Sequence, residues 1–167
     1  GRQPMTAPLP LSLIVHTRNS AATLPALLDS TSWIPERIVV DMHSEDDTLD
    51  LCRAAGCRVI EAPVTDGVDA IRNDYLDEAT NPWTLVLDSD EHLSADAAEA
   101  IADLLAEQRV KYDAFGIPRF NAIAGQVMQG SLFYPDHQIR LFRRGHVTWR
   151  EGHHHPPEVR GGRLLLL

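Results

Sequence analysis

Four short apolar runs, each ending in polar or acidic residues, constrain the fold of this chain more than any other feature. They fall at residues 11–15, 37–41, 57–61 and 83–87, the second closing on Asp41 and the fourth running directly into Asp88-Ser89-Asp90. Continuous apolar runs of this length suit strands buried on both faces, where alternating polarity would suit a half-exposed sheet. The stretches between them carry apolar residues at helical spacing: Leu24, Leu27 and Leu28, then Leu49, Leu51 and Cys52, then residues 68–79, and last Ala98, Ile101, Leu104 and Leu105. Ser20 or Thr23, Ser44 and Ser94 are placed to cap the first, second and last of these helices, and Gly56 to stop the second. Parallel neighbours need crossovers, which helices supply, so the pattern predicts a doubly wound, mostly parallel α/β sheet. Beyond Asp113 the pattern becomes strand-like pieces at 114–118, 138–142 and 146–149 separated by Gly and Pro turns, which reads as a small mixed extension. The expected organisation is a lead-in at 1–10, an α/β core at 11–108, and a short extension at 109–167 that belongs to the same domain and reads as truncated.

Charge and composition remove several classes of function. With 15 Lys and Arg against 24 Asp and Glu, the net charge is -9, which works against binding nucleic acid through its phosphates. Lys111 is the only lysine, so Schiff-base chemistry has almost no candidates. Cys52 and Cys57 lack a second pair or a flanking histidine, so neither a zinc ribbon nor a disulfide framework is indicated, and a reducing cytoplasm fits best. No apolar run approaches the roughly 20 residues of a membrane span.

Open α/β sheets bind ligands outside the carboxyl ends of their strands, and here those ends carry Thr17-Arg18-Asn19, Asp41, Asp66 and Asp88-Ser89-Asp90. The Gly-rich phosphate turns of dinucleotide enzymes and P-loop NTPases are absent from the sequence. Two carboxylates as close as Asp88 and Asp90 repel by roughly 4 kcal/mol at 4 Å in a partly screened site, which a divalent cation turns into attraction. Oxygen ligands favour Mg or Mn over zinc. The competing reading is an acidic cap for the next helix, and Ser94 already occupies that role. Asp41 reads either as a turn residue or as an acceptor for a nucleobase N–H, and Arg72 as a diphosphate contact or a surface ion-pair partner.

Together these pieces resemble the family 2 glycosyltransferases of GT-A fold, especially compact bacterial enzymes of lipopolysaccharide-core and envelope-glycan synthesis. The matching stretches are residues 11–19, 38–48, 70–73, 83–91 and 136–143, in the expected order along most of the chain. The resemblance implies a nucleotide-sugar donor, with Thr17 and Asp41 around the base and ribose and Asp88 and Asp90 as the metal and diphosphate motif beside Arg72. It further implies metal-assisted, inverting transfer to a glycan or lipid-linked acceptor by a cytoplasmic protein, with peripheral contact at the inner membrane face. Asp136 falls where the family's catalytic carboxylate precedes a short helix bearing an arginine, here Arg140, and Glu151 is the reserve base. His155, in the run His153-His154-His155, is the candidate third metal ligand. His16 and Met42 depart from the family, standing where small or aliphatic residues are usual. The alternatives are a non-catalytic nucleotide-sugar-binding module, and a metal-dependent nucleotidyltransferase or phosphotransferase; the latter normally carries its paired aspartates after the first strand or a Gly-rich triphosphate loop.

Overall fold

A computed structural model, described over residues 9–65, 71–107, 112–118, 137–148, 158–159 and 164–166, turns the four apolar runs into four parallel strands. They are β1 (Leu11–Thr17), β2 (Glu36–Asp41), β3 (Arg58–Glu61) and β4 (Trp83–Asp88). The extension adds β5 (Ala114–Pro118) and β6 (His137–Arg143), the two-residue β7 (Val147–Thr148) and β8 (Glu158–Val159), and β9 (Leu164–Leu166). Seven strands form one sheet in the order β3-β2-β1-β4-β6-β5-β9, with β6 antiparallel to both neighbours, while β7 and β8 pair separately. This is the doubly wound, mostly parallel sheet with a mixed extension that the apolar runs predict.

β1 sits between β2 and β4, and all seven of its residues are buried. Its alternate side chains serve two different cores, as the two-residue period of a strand requires. Leu11, Leu13 and Val15 face α1 (Leu24–Ser30), α2 (Thr48–Ala54) and α3 (Ala95–Ala106), packing with Leu24, Leu27, Cys52, Ile101 and Leu105. Ile14 faces the other side, with Ile38, Val40 and Ile71. Each such side chain contributes roughly 1.5–3 kcal/mol on burial, so this double-sided packing fixes the position of β1 in the sheet.

Several local expectations are corrected. The helix expected at 68–79 is, in its described part, a 3₁₀ helix at Asn73–Glu78, with no basic residue in its last turn. Asp77 and Glu78 at its carboxyl end oppose the helix dipole, and Ala79 is already extended, so an α-helix is not propagated. Ser44 does not cap α2: Asp47 occupies that position, and the Ser44 side chain turns back to Asp41. Thr23 is the N-cap of α1 but makes no capping bond; its hydroxyl donates to the Ser89 carbonyl at 2.9 Å. Ser94 does cap α3, accepting from Ala97 N at 3.0 Å. Arg140 lies within β6, not on a short helix. Leu141 and Phe142 feed opposite cores, so the period here is that of a strand.

Candidate functional site

Register decides which polar groups meet at the carboxyl edge of the sheet. Thr17 is the partner of Asp41, and His16 is the partner of Asp88, so the two pairs project from opposite faces of the sheet.

On the helix-packed face, Asp41 is 1% exposed and accepts from the Ser44 amide at 3.0 Å and the Ser44 hydroxyl at 2.5 Å. Its carboxylate thus anchors the turn after β2. Thr17 beside it is equally buried, and its hydroxyl has no hydrogen-bond partner among the described residues. Asn19 adopts a left-handed conformation, φ 50°, and crosslinks two loops: its amide donates to Ser44 Oγ at 2.8 Å, and its side-chain oxygen accepts from Glu45 N at 2.7 Å. Ser20 extends the stitching, its amide donating to Thr48 Oγ1 at 2.9 Å and its hydroxyl to Ser89 Oγ at 3.0 Å. The loops after β1, β2 and β4 are therefore tied into one rim. Of residues 17–19, Thr17 is buried while Arg18 and Asn19 are exposed.

On the opposite face, four charged residues form a balanced cluster. Arg72 Nη2 lies 3.2 Å from Asp88 Oδ1, and Arg140 Nη2 lies 3.6 Å from Asp88 Oδ2. Arg140 also binds Glu91 through Nη1 and the Val86 carbonyl at 3.3 Å. Glu91 reaches back to accept the Asp88 amide at 2.8 Å, which clamps the Asp88-Ser89-Asp90 turn. Arg140 and Glu91 are 2% and 1% exposed, so this ion pair is fully internal, whereas Asp90 projects to the surface.

The structure thus unites Arg72 with Asp88 and places Ser89 and Asp90 on the same rim. Asp66, Asp136, Glu151 and His155 lie outside the described residues. Glu91, which the sequence reading passes over, proves central, and its signal was the spacing: a carboxylate three residues after Asp88 can reach back to that residue's amide. As a cation site, the described residues offer a partial set. No group of three or more His, Cys, Asp or Glu able to hold a metal occurs among them, and Asp88 is shared between two guanidiniums. The exposed Asp90 is a carboxylate of the kind by which Mg and Mn are commonly held, one or two such groups being completed by phosphate oxygens and water.

Fold and site together define an open-sheet α/β protein with polar and charged side chains gathered at the carboxyl edge of β1, β2 and β4. Residues 12–163 match the family model described as glycosyl transferase family 2, and the chain belongs to that family. A TPR repeat-containing protein of Synechococcus elongatus is 32% identical over 86% of this chain and 34% of its own length. A PGL/p-HBAD biosynthesis glycosyltransferase of Mycobacterium bovis is 39% identical over 62% of this chain and 44% of its own. The chain thus spans less than half the length of these relatives. Among solved structures, Staphylococcus aureus TarS in complex with UDP-GlcNAc superposes with a TM-score of 0.55 at 28% identity, over 65% of this chain and 34% of that one. Mycobacterium tuberculosis glucosyl-3-phosphoglycerate synthase, crystallised with Mn2+, UDP and glucosyl-3-phosphoglycerate, shares the fold with a TM-score of 0.51 at 22% identity, over 64% of this chain and 43% of that one. The architecture is the GT-A fold.

Proposed function

We propose that the carboxyl edge of β1, β2 and β4 binds a nucleotide-sugar donor and that the protein transfers its sugar to an acceptor hydroxyl with inversion. The observation that carries this reading is the Arg72–Asp88 pair at the end of β4 with Asp90 beside it, in a chain of this family. Arg72 supplies a planar cation suited to phosphate oxygens. Thr17, with its unpartnered hydroxyl, and Asp41 line the base and ribose side, and Arg18 is exposed at the rim to reach the ligand. TarS has been solved with UDP-GlcNAc, which supports a UDP-sugar as the donor class to test first.

In single displacement the acceptor oxygen bonds to the anomeric carbon as the bond to the diphosphate breaks, and the acceptor proton passes to a carboxylate. Asp136 is the proposed base, with Glu151 in reserve, and the acceptor is a glycan or lipid-linked sugar handled by residues 109–167. Asp90, supported by Asp88 and in the proposal by His155, would hold the Mg or Mn that neutralises the departing diphosphate.

The test is thermal unfolding with nucleoside diphosphates, with and without Mn. At ligand concentrations near 100 times Kd, stabilisation of about 2.7 kcal/mol is expected, or roughly 5–11 °C for a chain of this size. It should require the cation and disappear in Asp90→Ala. Indifference to every nucleoside diphosphate would overturn the reading, and binding without acceptor-dependent release of nucleoside diphosphate would leave a binding module in place of a transferase.

A further inference from the structure

His16 borders the polar cluster on the Asp88 face of the sheet. It shares a face with its register partner Asp88 and meets the Tyr75 ring edge to face, with centroids 6.2 Å apart. It is 5% exposed, and neither ring nitrogen has a hydrogen-bond partner among the described residues. Burial, and then the neighbouring Arg72 guanidinium, push its pKa from 6.5 down to about 4, while Asp88 works the other way. At neutral pH the ring is therefore uncharged, carrying one N–H donor and one acceptor. An unpaired polar group at such a place destabilises the fold relative to an apolar residue of similar volume.

What makes the position useful is its neighbour. A phosphate accepts bidentate bonds from a guanidinium and competes with a carboxylate for it, so a diphosphate at this edge draws Arg72 away from Asp88 Oδ1. The Asp88 side chain is 30% exposed and Arg140 lies 3.6 Å from its Oδ2, so the loss of Arg72 leaves Oδ1 short of a donor on the protein side. We propose that His16 is a positioning residue whose ring N–H takes over the place at the Asp88 carboxylate that Arg72 vacates when it turns to a ligand phosphate. The inference rests on the donor-site reading above. A neutral donor suits the exchange because Arg72, Arg140, Asp88 and Glu91 already balance in charge. A hydrogen bond is replaced without adding a cation, and the Arg72 charge becomes wholly available to the ligand.

The test compares wild type with His16→Leu, His16→Met, His16→Gln and His16→Asn, each alone and with Arg72→Gln. UDP with Mn is titrated calorimetrically and uridine, which has no phosphate, by NMR. His16→Leu or His16→Met should raise the melting temperature without ligand yet weaken UDP binding by about 10-fold to 100-fold, the range of a hydrogen bond to a charged group. Uridine binding should be unchanged, Gln or Asn should restore UDP affinity, and His16→Leu should cost nothing further beside Arg72→Gln. The exchange is overturned if the apolar variants bind UDP like wild type, lose uridine equally, or lose affinity multiplicatively with Arg72→Gln. Failure of wild type to bind any nucleoside diphosphate is a different result: it overturns the donor-site reading and this proposal with it.

Discussion

Replacing Arg140 with Met tests whether the internal ion pair holds the Asp88-Ser89-Asp90 turn. Arg140 and Glu91 have side chains 3% and 0% exposed, so the substitution leaves a buried carboxylate without its cation. Breaking a buried pair on one side costs about 3–5 kcal/mol, a large part of the 5–15 kcal/mol that typically holds a domain together. At roughly 2–4 °C per kcal/mol, the melting temperature should fall by about 6–20 °C. The Arg58–Glu78 pair is the internal control, since its side chains are 53% and 39% exposed. Solvent screens such a pair, so Arg58→Met should cost about 0–1 kcal/mol. Joint replacement of Arg140 by Met and Glu91 by Leu removes both charges and should recover most of the lost stability, because the desolvation of each ion disappears with it. Urea unfolding of the four proteins measures all of this. The reasoning is refuted if Arg140→Met costs no more than Arg58→Met, or if the double variant is no more stable than the single one.

Acid sensitivity should carry the signature of His16. Its pKa is about 4 when folded against 6.5 ordinarily, so between those values the unfolded chain binds a proton that the folded chain refuses. Stability is therefore full above pH 6.5 and falls as pH is lowered through the window, by about 3 kcal/mol at pH 4, and His16→Leu should remove that part of the slope in urea titrations at stepped pH. Burial also pushes the Cys52 thiol up to about 12 and raises Cys57, so both should resist a thiol-specific chromogenic reagent in the native state and react on unfolding; prompt native labelling would contradict this packing.

The strands were legible because burial on both faces leaves a direct trace in sequence. Leu13, Ile14 and Val15 must all be apolar when alternate side chains feed different cores. Caps were less legible, because a serine hydroxyl bonds equally well to a helix amide or to a nearby carboxylate. Ser94 also lies three residues after a carboxylate, but Glu91 is held by Arg140 and the Asp88 amide, and Ser94 caps its helix; Ser44 lies three residues after Asp41 and is captured by it. Arg140 illustrates a longer-range limit. Nothing local to residues 137–143 reveals that Glu91 lies opposite, since the pair is made only when β6 docks antiparallel to β4. The gathering of the polar ends of β1, β2 and β4 into one candidate site was legible from the runs. Its internal wiring was not, because that depends on which face each residue takes.

That wiring also changes the argument for a cation. Taken as two bare carboxylates, Asp88 and Asp90 need a cation to relieve their mutual repulsion. With Arg72 and Arg140 both on Asp88, and Glu91 paired in turn with Arg140, those four charges cancel among the described residues, and the Asp90 carboxylate stands outside that balance. The demand for a cation must then arise elsewhere, and a nucleoside diphosphate would supply it by bringing its own negative charge to the exposed Asp90 and by drawing Arg72 off Asp88. In that scheme the cation and the diphosphate each create the binding site of the other. Such reciprocal coupling has a thermodynamic consequence: each ligand must raise the affinity of the other by the same factor. It is the reason stabilisation is expected from Mn and a nucleoside diphosphate together, and why Mn alone should leave the melting temperature of this chain almost unmoved.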